Sequence, residues 1–187
     1  MRILMKILDY VTIENIIPKD VCEIVIKEIQ HKKEWEQHSW YNNKNDSSHS
    51  MKTKELDILH TTPDMQHIMA PSIRTSIERY MKHIKSPHNF IKNFTPIRFN
   101  RYATGQVMRR HHDHIHSMFD GERKGIPILS LVGLLNDDYE GAKMIVRDIE
   151  FPMKRGDIII MPSVFLYPHE ITECTKGTRY SWVSWAF

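Results

Sequence analysis

Cysteine is scarce in this 187-residue chain, which contains only Cys22 and Cys174. Two such distant cysteines give neither a disulfide framework nor the spacing of a zinc finger, and their scarcity is typical of a reducing compartment. Long hydrophobic runs are lacking as well. Lys6, Asp9 and Glu14 interrupt the apolar N-terminus, so we expect no signal peptide, and no later run is long enough to span a bilayer. We therefore expect a cytoplasmic protein with no membrane partner.

A large excess of charge of one sign is also absent. The chain has 26 Lys and Arg against 23 Asp and Glu, a formal net charge of +3. This mildly basic balance suits an anionic co-substrate but does not by itself indicate nucleic-acid binding. The 41% hydrophobic and 26% charged content is typical of a soluble globular protein. The length fits one well-buried domain, so we predict a single domain over residues 1–187 and leave the oligomeric state open.

Residues 1–95 are predicted to be helical support and loops. One helix is expected to start at Pro18, because apolar residues then recur at helical spacing: Cys22, Val25, Ile26 and Ile29. A second helix is expected to follow Pro71, with its apolar stripe at Ile73, Ile77, Tyr80, Met81 and Ile84. The intervening segment Tyr41–Lys54 is rich in Asn, Ser and Lys and is predicted to be a loop.

Residues 96–187 have the pattern of short strands separated by turns. The predicted strands cover residues 97–102, 126–135, 143–147, 157–161, 166–171 and 179–187. Many short strands with short connections favour a sandwich or jelly roll. The predicted fold class is therefore α+β with a mainly β core, against which the N-terminal helices pack.

A histidine-rich segment offers metal ligands. Side chains two residues apart in a strand point the same way, so His111 and Asp113 can face one point, whereas His112 and His114 are out of phase. His169, from another predicted strand, would complete a set of two imidazoles and one carboxylate. Such a set leaves coordination positions open and suits non-haem Fe(II) oxygen chemistry. Taken alone, a histidine cluster of this kind is more often a polar surface or an adventitious metal site than a catalytic one.

Three further residues fit a cavity beside this metal site. If the segments around His169 and Arg179 form an antiparallel pair, Arg179 lies deeper in the same cavity, where its guanidinium can bind a carboxylate bidentately. Trp185 lies an even number of residues after Arg179 and shares its face of the strand, although packing in the core is an alternative role. Tyr102 ends a predicted strand, where its hydroxyl can add a hydrogen bond to the same anion.

Several motifs in this order resemble those of a known enzyme family. The segment from Tyr102 to Asp113 resembles the tyrosine-to-HxD segment of the prolyl 4-hydroxylase group of Fe(II)/2-oxoglutarate oxygenases. The motif at residues 135–137, followed by Glu140-Gly141, resembles that group's Leu-Asn-Asp and Glu-Gly-Gly elements. The segment from His169 to Trp185 is similar to the closing motif of the bacterial PKHD-type hydroxylases. The resemblance covers roughly the C-terminal half of the chain.

The resemblance implies a double-stranded β-helix, the jelly roll also found in cupins. It implies that His111, Asp113 and His169 hold Fe(II). Arg179 would bind the distal carboxylate of 2-oxoglutarate with help from Tyr102, and Trp185 would line the same pocket. The implied reaction consumes O2, converts 2-oxoglutarate to succinate and carbon dioxide, and hydroxylates an aliphatic C–H bond. Ascorbate joins the implied cofactors, and no catalytic residue is expected beyond the metal site.

The target of the reaction is the least determined part of this prediction. The first hypothesis is a side chain of a protein or peptide, with proline as the residue, and the second is a free amino acid or other small metabolite. The arginine spacing and the lack of a basic, aromatic stripe argue against a nucleic-acid demethylase. Retention of the complete ligand set argues against a cupin-like metal-binding module without turnover. Loops 41–54 and 117–125 are the candidate substrate contacts, because loops on a rigid scaffold commonly carry recognition.

Overall fold

The protein, seen as a computed structural model, is described over residues 7–42, 46–48, 54–113 and 127–187. Its two long helices are α1 (Lys19–Ile29) and α2 (Pro63–His83). The strands before residue 114 are β1 (Thr12–Asn15), β2 (Glu36–Gln37), β3 (Trp40–Asn42), β4 (Asp46–Ser48), β5 (Asp57–His60), β6 (Arg98–Ala103) and β7 (Met108–His111). The later strands are β8 (Leu129–Leu134), β9 (Glu140–Gly141), β10 (Met144–Val146), β11 (Ile149–Glu150), β12 (Asp157–Pro162), β13 (His169–Ile171), β14 (Cys174–Lys176) and β15 (Thr178–Ala186).

Two antiparallel sheets form the body of the protein. The larger sheet has seven strands in the order β1-β12-β8-β15-β6-β5-β2, and the smaller has four in the order β11-β10-β13-β7. Strands β9 and β14 form a separate pair, as do β3 and β4. The predicted jelly roll, a double-stranded β-helix, is confirmed. None of the helices among the described residues is long and apolar enough to cross a membrane.

Side chains that alternate along the larger sheet build two separate cores. On one face, Leu131 and Trp182 pack with the apolar stripes of α1 and α2. On the other face, Val132 and Val183 pack with residues of the smaller sheet such as Met144. The helices therefore close the outer face of the larger sheet, and the space between the two sheets remains for a site.

A glycine at the centre of the larger sheet allows the outer core to pack closely. Gly133 of β8 is paired with Trp182 of β15, and the indole ring lies directly over its backbone. A Cβ atom on Gly133 would overlap the Trp182 ring. The fully buried indole therefore requires glycine at this position.

Helix α2 begins earlier than the sequence prediction. Thr62 is its N-cap, with the Thr62 hydroxyl accepting a hydrogen bond from the Met65 N–H at 3.4 Å, and Pro63 occupies the first turn. Pro71, predicted to precede the helix, lies inside it. The prediction was wrong because a buried stripe that includes Met65 and Met69 continues through the proline, and burial of that stripe outweighs the lost backbone hydrogen bond.

Residues 1–95 also contribute strands, which the prediction of helices and loops missed. Strands β1, β2 and β5 all join the larger sheet, and β3 and β4 form a hairpin inside the predicted loop 41–54. Each of these strands has only two to four residues. That length is too short to display a clear two-residue alternation, so pairing with neighbouring strands determines their structure.

Candidate metal centre

Two strands of the smaller sheet bring the predicted metal ligands together. His111 ends β7 and His169 begins β13, and the two residues are directly paired across these strands. Their ring centroids are 4.3 Å apart. Asp113 follows β7 by two residues and places its Oδ1 3.4 Å from His111 Nε2 and its Oδ2 3.8 Å from His169 Nε2. One donor atom from each of the three residues lies within 4.8 Å of the others.

Backbone carbonyls fix the orientation of both imidazole rings. His111 Nδ1 lies 2.8 Å from the carbonyl oxygen of Arg109, and His169 Nδ1 lies 3.0 Å from that of Tyr167. Because a carbonyl can only accept, each Nδ1 must carry the proton and donate it. A ring with its proton on Nδ1 and none on Nε2 turns the Nε2 lone pair toward Asp113, which is the tautomer that a metal ligand needs.

The charge states at this centre also suit a divalent cation. Burial acts to raise the pKa of Asp113, but the imidazoles of His169 and His111 and a hydrogen bond with Ser130 outweigh it, so the pKa lies below its usual range. Burial lowers the pKa of His169. The centre thus presents an anionic carboxylate, whose buried Oδ2 has no hydrogen-bond partner among the described residues, beside a neutral imidazole. Two imidazoles, one carboxylate and open positions fit Fe(II).

A buried arginine lies on the facing sheet. The side chain of Arg179 in β15 is 1% exposed, and its Nη1 donates a hydrogen bond to Ser181 Oγ at 2.7 Å. Its guanidinium carbon lies 5.0 Å from the ring centroid of Tyr102, the residue paired with Arg179 in β6. Arg179 Nε is buried without a partner, and no carboxylate of the described residues pairs with the guanidinium. A buried, uncompensated cation indicates a site for an anion.

Tyr102 is positioned to share that anion. Its side chain is 2% exposed, and burial raises the pKa of its phenol although Arg179 and Arg98 act in the opposite direction. The phenol is therefore neutral at physiological pH and keeps a proton to donate. A neutral O–H beside a guanidinium can bind one carboxylate together with it.

A second arginine, which the sequence prediction missed, faces the same space. The guanidinium carbon of Arg98 in β6 lies 5.5 Å from the ring centroid of Trp185 in β15. Arg98 and Tyr102 are four residues apart on one strand, so they share a face. That even spacing from Tyr102 is the sequence feature that could have identified Arg98.

The structure corrects one step of the sequence argument about Arg179. The strand of His169 does not pair with the strand of Arg179: β13 pairs with β10 and β7, whereas β15 pairs with β6 and β8. The turn predicted between them contains β14, which pairs with β9. The chain therefore crosses from the smaller to the larger sheet between His169 and Arg179.

The structure describes only some of the remaining predicted residues. The side chain of His112 is exposed, as strand parity predicts. His114 and loop 117–125 lie outside the described residues. Within loop 41–54, the described backbone is that of the hairpin β3–β4, so this part is a pair of strands rather than a loop.

Comparisons with known proteins agree with this geometry. Residues 97–187 match the sequence model of the 2OG-Fe(II) oxygenase superfamily. No curated protein matches this sequence at a significant level.

Several solved structures are similar in fold. A viral collagen prolyl hydroxylase from Paramecium Bursaria Chlorella virus-1 is 14% identical, with a TM-score of 0.68 over 95% of this chain and 94% of that one. A prolyl hydroxylase from Trichoplax adhaerens is 12% identical, with a TM-score of 0.72 over 96% and 84% of the two chains. A Pseudomonas putida prolyl-4-hydroxylase is 15% identical, with a TM-score of 0.67 over 98% of both. Residues 97–187, just under half of the chain, thus carry the sequence pattern of the 2OG-Fe(II) oxygenase superfamily, and together with the metal centre inside that segment they support a 2-oxoglutarate-dependent dioxygenase.

Proposed function

We propose that this dioxygenase hydroxylates an aliphatic C–H bond of a protein or peptide, with a prolyl residue as the target. The observation that carries the proposal is the convergence of His111, Asp113 and His169 inside the segment that matches the superfamily. We also propose that residues 1–187 form one domain, since strands from both halves of the chain share the larger sheet.

In this proposal, His111, Asp113 and His169 hold Fe(II). Bound there, Fe(II) with 2-oxoglutarate and O2 supplies the oxidant that hydroxylates the target while the co-substrate becomes succinate and carbon dioxide. The two Nδ1–H donations to backbone carbonyls hold the imidazoles in the ligating tautomer. Asp113 supplies the negative charge, and its low pKa keeps it ionised throughout the physiological range.

Arg179, Tyr102 and Trp185 are proposed to bind 2-oxoglutarate. Arg179 would form a charge-assisted pair with the distal carboxylate, and Tyr102 would add a neutral hydrogen bond. Because Arg179 is buried and already bonded to Ser181, little side-chain freedom remains to be lost on binding. Trp185 also has a buried Nε1 on this face of β15, with no hydrogen-bond partner among the described residues.

A peptide target is supported by the kind of proteins that share the fold. The Trichoplax structure is of a prolyl hydroxylase in complex with a peptide fragment of the hypoxia inducible factor oxygen degradation domain, and the viral structure is of a collagen prolyl hydroxylase. At 12% and 14% identity these likenesses show the fold alone. Prolyl hydroxylation is our extension of them to this chain, and ascorbate as a cofactor stays a prediction.

Replacement of Asp113 tests the proposed metal centre. Asp113→Ala should abolish Fe(II)-dependent formation of succinate from 2-oxoglutarate, because it removes the only carboxylate of the three-ligand group. His112→Ala is the matched control, since it alters an adjacent but exposed side chain, and should retain at least half of the wild-type rate. Succinate and bound iron are measured on protein whose circular dichroism spectrum is unchanged. Wild-type turnover in Asp113→Ala would exclude this centre.

A further inference from the structure

The space between the sheets contains a second cation besides Arg179. Arg98 is paired with Val183 of β15, and both are in phase with the residues that face the smaller sheet. Arg98 lies four residues, roughly 13 Å of strand, from Tyr102 and from the strand pair that holds Arg179. The side chains of Arg98 and Arg179 therefore extend from opposite ends of the paired strands β6 and β15, on the same face of the sheet.

The surroundings of Arg98 leave its hydrogen-bonding capacity largely unused. Its Nε is buried without an acceptor, and among the described residues the guanidinium makes neither a hydrogen bond nor an ion pair. Trp185, over which it stacks, likewise has an Nε1 with no acceptor in the described part of the chain. The rest of the Arg98 side chain is partly exposed, so a ligand can reach it. Two adjacent donors without acceptors form a ready site for an anion.

A count of formal charges indicates what kind of ligand this space favours. Among the described residues, Arg98 and Arg179 are opposed by Asp113, because the other nearby carboxylates already have cationic partners. These ion pairs are Glu55–Arg109, Glu150–Lys143 and Asp137–Arg155. A divalent metal ion raises the excess to three positive charges, and dianionic 2-oxoglutarate compensates only two of them. One positive charge then remains in a largely buried space, where unpaired charge is costly.

We propose that Arg98, with Trp185 beside it, binds a carboxylate of the target and so selects acidic substrates. This inference rests on the proposed function, since the charge count includes the iron and 2-oxoglutarate. It adds a substrate class to that function: a peptide with an acidic residue close to the hydroxylated one, or a small molecule with its own carboxylate. Arg98 is thus a specificity-determining residue, separate from the co-substrate anchor Arg179.

The first experiment tests whether Arg98 binds 2-oxoglutarate rather than the target. Binding of 2-oxoglutarate to the Mn(II)-loaded protein is measured by calorimetry, without turnover. Arg98→Met should change the dissociation constant less than threefold, whereas Arg179→Met should raise it about 10- to 100-fold, as expected for loss of a charge-assisted pair. A loss in Arg98→Met as large as that in Arg179→Met would overturn the proposal, because the co-substrate would then be its ligand.

The second experiment tests the target directly with paired probes. Hexapeptide pools with Pro, Lys, Asn or Leu at the centre carry either Glu or Gln beside it, and L-proline is paired with L-prolinamide. Thermal stabilisation of the Mn(II)- and 2-oxoglutarate-loaded protein measures binding, and mass spectrometry of the Fe(II) enzyme measures added oxygen. We expect the wild type to prefer the carboxylate member at least tenfold and Arg98→Met to lose that preference.

Arg74→Met is the matched control, because Arg74 also stacks on an aromatic ring, that of Phe94, but lies on the exposed side of α2. It should keep the wild-type preference. A wild type that binds both members of every pair equally, or that binds no carboxylate member, would overturn the proposal. Failure of the proposed function is distinct: the Fe(II) protein would then form no succinate even without a target, or would hydroxylate acidic pools only at residues other than proline.

Discussion

Arg179 illustrates how a single residue can be unfavourable for folding and useful for binding. Arg179 is 1% exposed, and its guanidinium donates a hydrogen bond to the neutral hydroxyl of Ser181. A charged group that loses water costs free energy unless an opposite charge replaces it. The cation–π contact with Tyr102 offsets part of this unfavourable free energy. A carboxylate that binds here would offset the rest of the free energy cost of burying the charge. The affinity for 2-oxoglutarate should therefore depend strongly on the Arg179 side chain.

We therefore predict that Arg179→Lys raises the 2-oxoglutarate concentration for half-maximal turnover by about tenfold, because an ammonium cannot form the bidentate pair. Arg179→Met should raise it further, by about 100-fold, since a lost charge-assisted hydrogen bond is worth roughly 1.5–3 kcal/mol. Mn(II) affinity without co-substrate should stay within threefold of wild type. The measurements are succinate formation against 2-oxoglutarate concentration, and Mn(II) calorimetry. An unchanged co-substrate dependence would show that the anchor is elsewhere.

For single residues, much of the sequence prediction depended on strand parity, the rule that alternate residues of a strand face the same side. It correctly placed His112 on the outside, and the structure brings His111, Asp113 and His169 together as expected. Strand parity could not reveal that His169 and Arg179 lie in different sheets, because the strands that pair with each other are distant in sequence. Arg98 was overlooked since an arginine in a strand is ordinarily exposed, and only the facing sheet makes its surroundings a cavity.

Among the elements, helix α2 tolerates a feature that helices usually avoid. Pro71 lies in its interior, where it has no N–H to donate to the carbonyl of His67 and its ring crowds that carbonyl. The helix nevertheless continues, because residues on both sides of the proline, including Met69 and Ile73, are fully buried against the larger sheet. Tertiary packing outweighs the local preference here.

Replacing Pro71 should therefore stabilise the protein. Its side chain is exposed, so Pro71→Ala loses little packing and restores one helical hydrogen bond. We expect the free energy of unfolding to rise by about 1 to 3 kcal/mol, measured by urea denaturation. Pro63→Ala is the matched control: Pro63 lies in the first turn, where proline is favourable, and its replacement should give no gain. Equal effects of the two substitutions would mean that the helix is interrupted at Pro71.

The elements that the sequence predicted well are those with a buried, periodic stripe. Helix α1 follows Pro18 as expected, and β6, β8, β12 and β15 lie within a few residues of their predicted bounds. The strands that were missed are short, partly exposed and at or near sheet edges, such as β1 and β2. Their hydrogen bonds, rather than their own side chains, determine where they lie.

In the whole molecule, long-range pairing holds the two halves of the chain together. Strand β1, near the N-terminus, pairs with β12, and β5 pairs with β6. The predicted metal ligands lie on β7, just after it, and on β13, which are 58 residues apart at His111 and His169. A metal ion bound to both would link neighbouring strands of the smaller sheet that are distant in sequence. Its binding should thus be visible as increased stability of the entire fold.

We predict that Mn(II), at 100 times its dissociation constant, stabilises the wild type by about 2.7 kcal/mol, because it binds the folded state alone. For a chain of this length that corresponds to a rise in Tm of roughly 5–11 °C, measured by scanning calorimetry with and without a chelator. Asp113→Ala should lose this rise and His112→Ala should keep it. Since the cation is bound before any co-substrate or target is added, the readout does not depend on turnover. A rise of equal size in Asp113→Ala would place the bound Mn(II) elsewhere, and His111, Asp113 and His169 would then not be the metal centre.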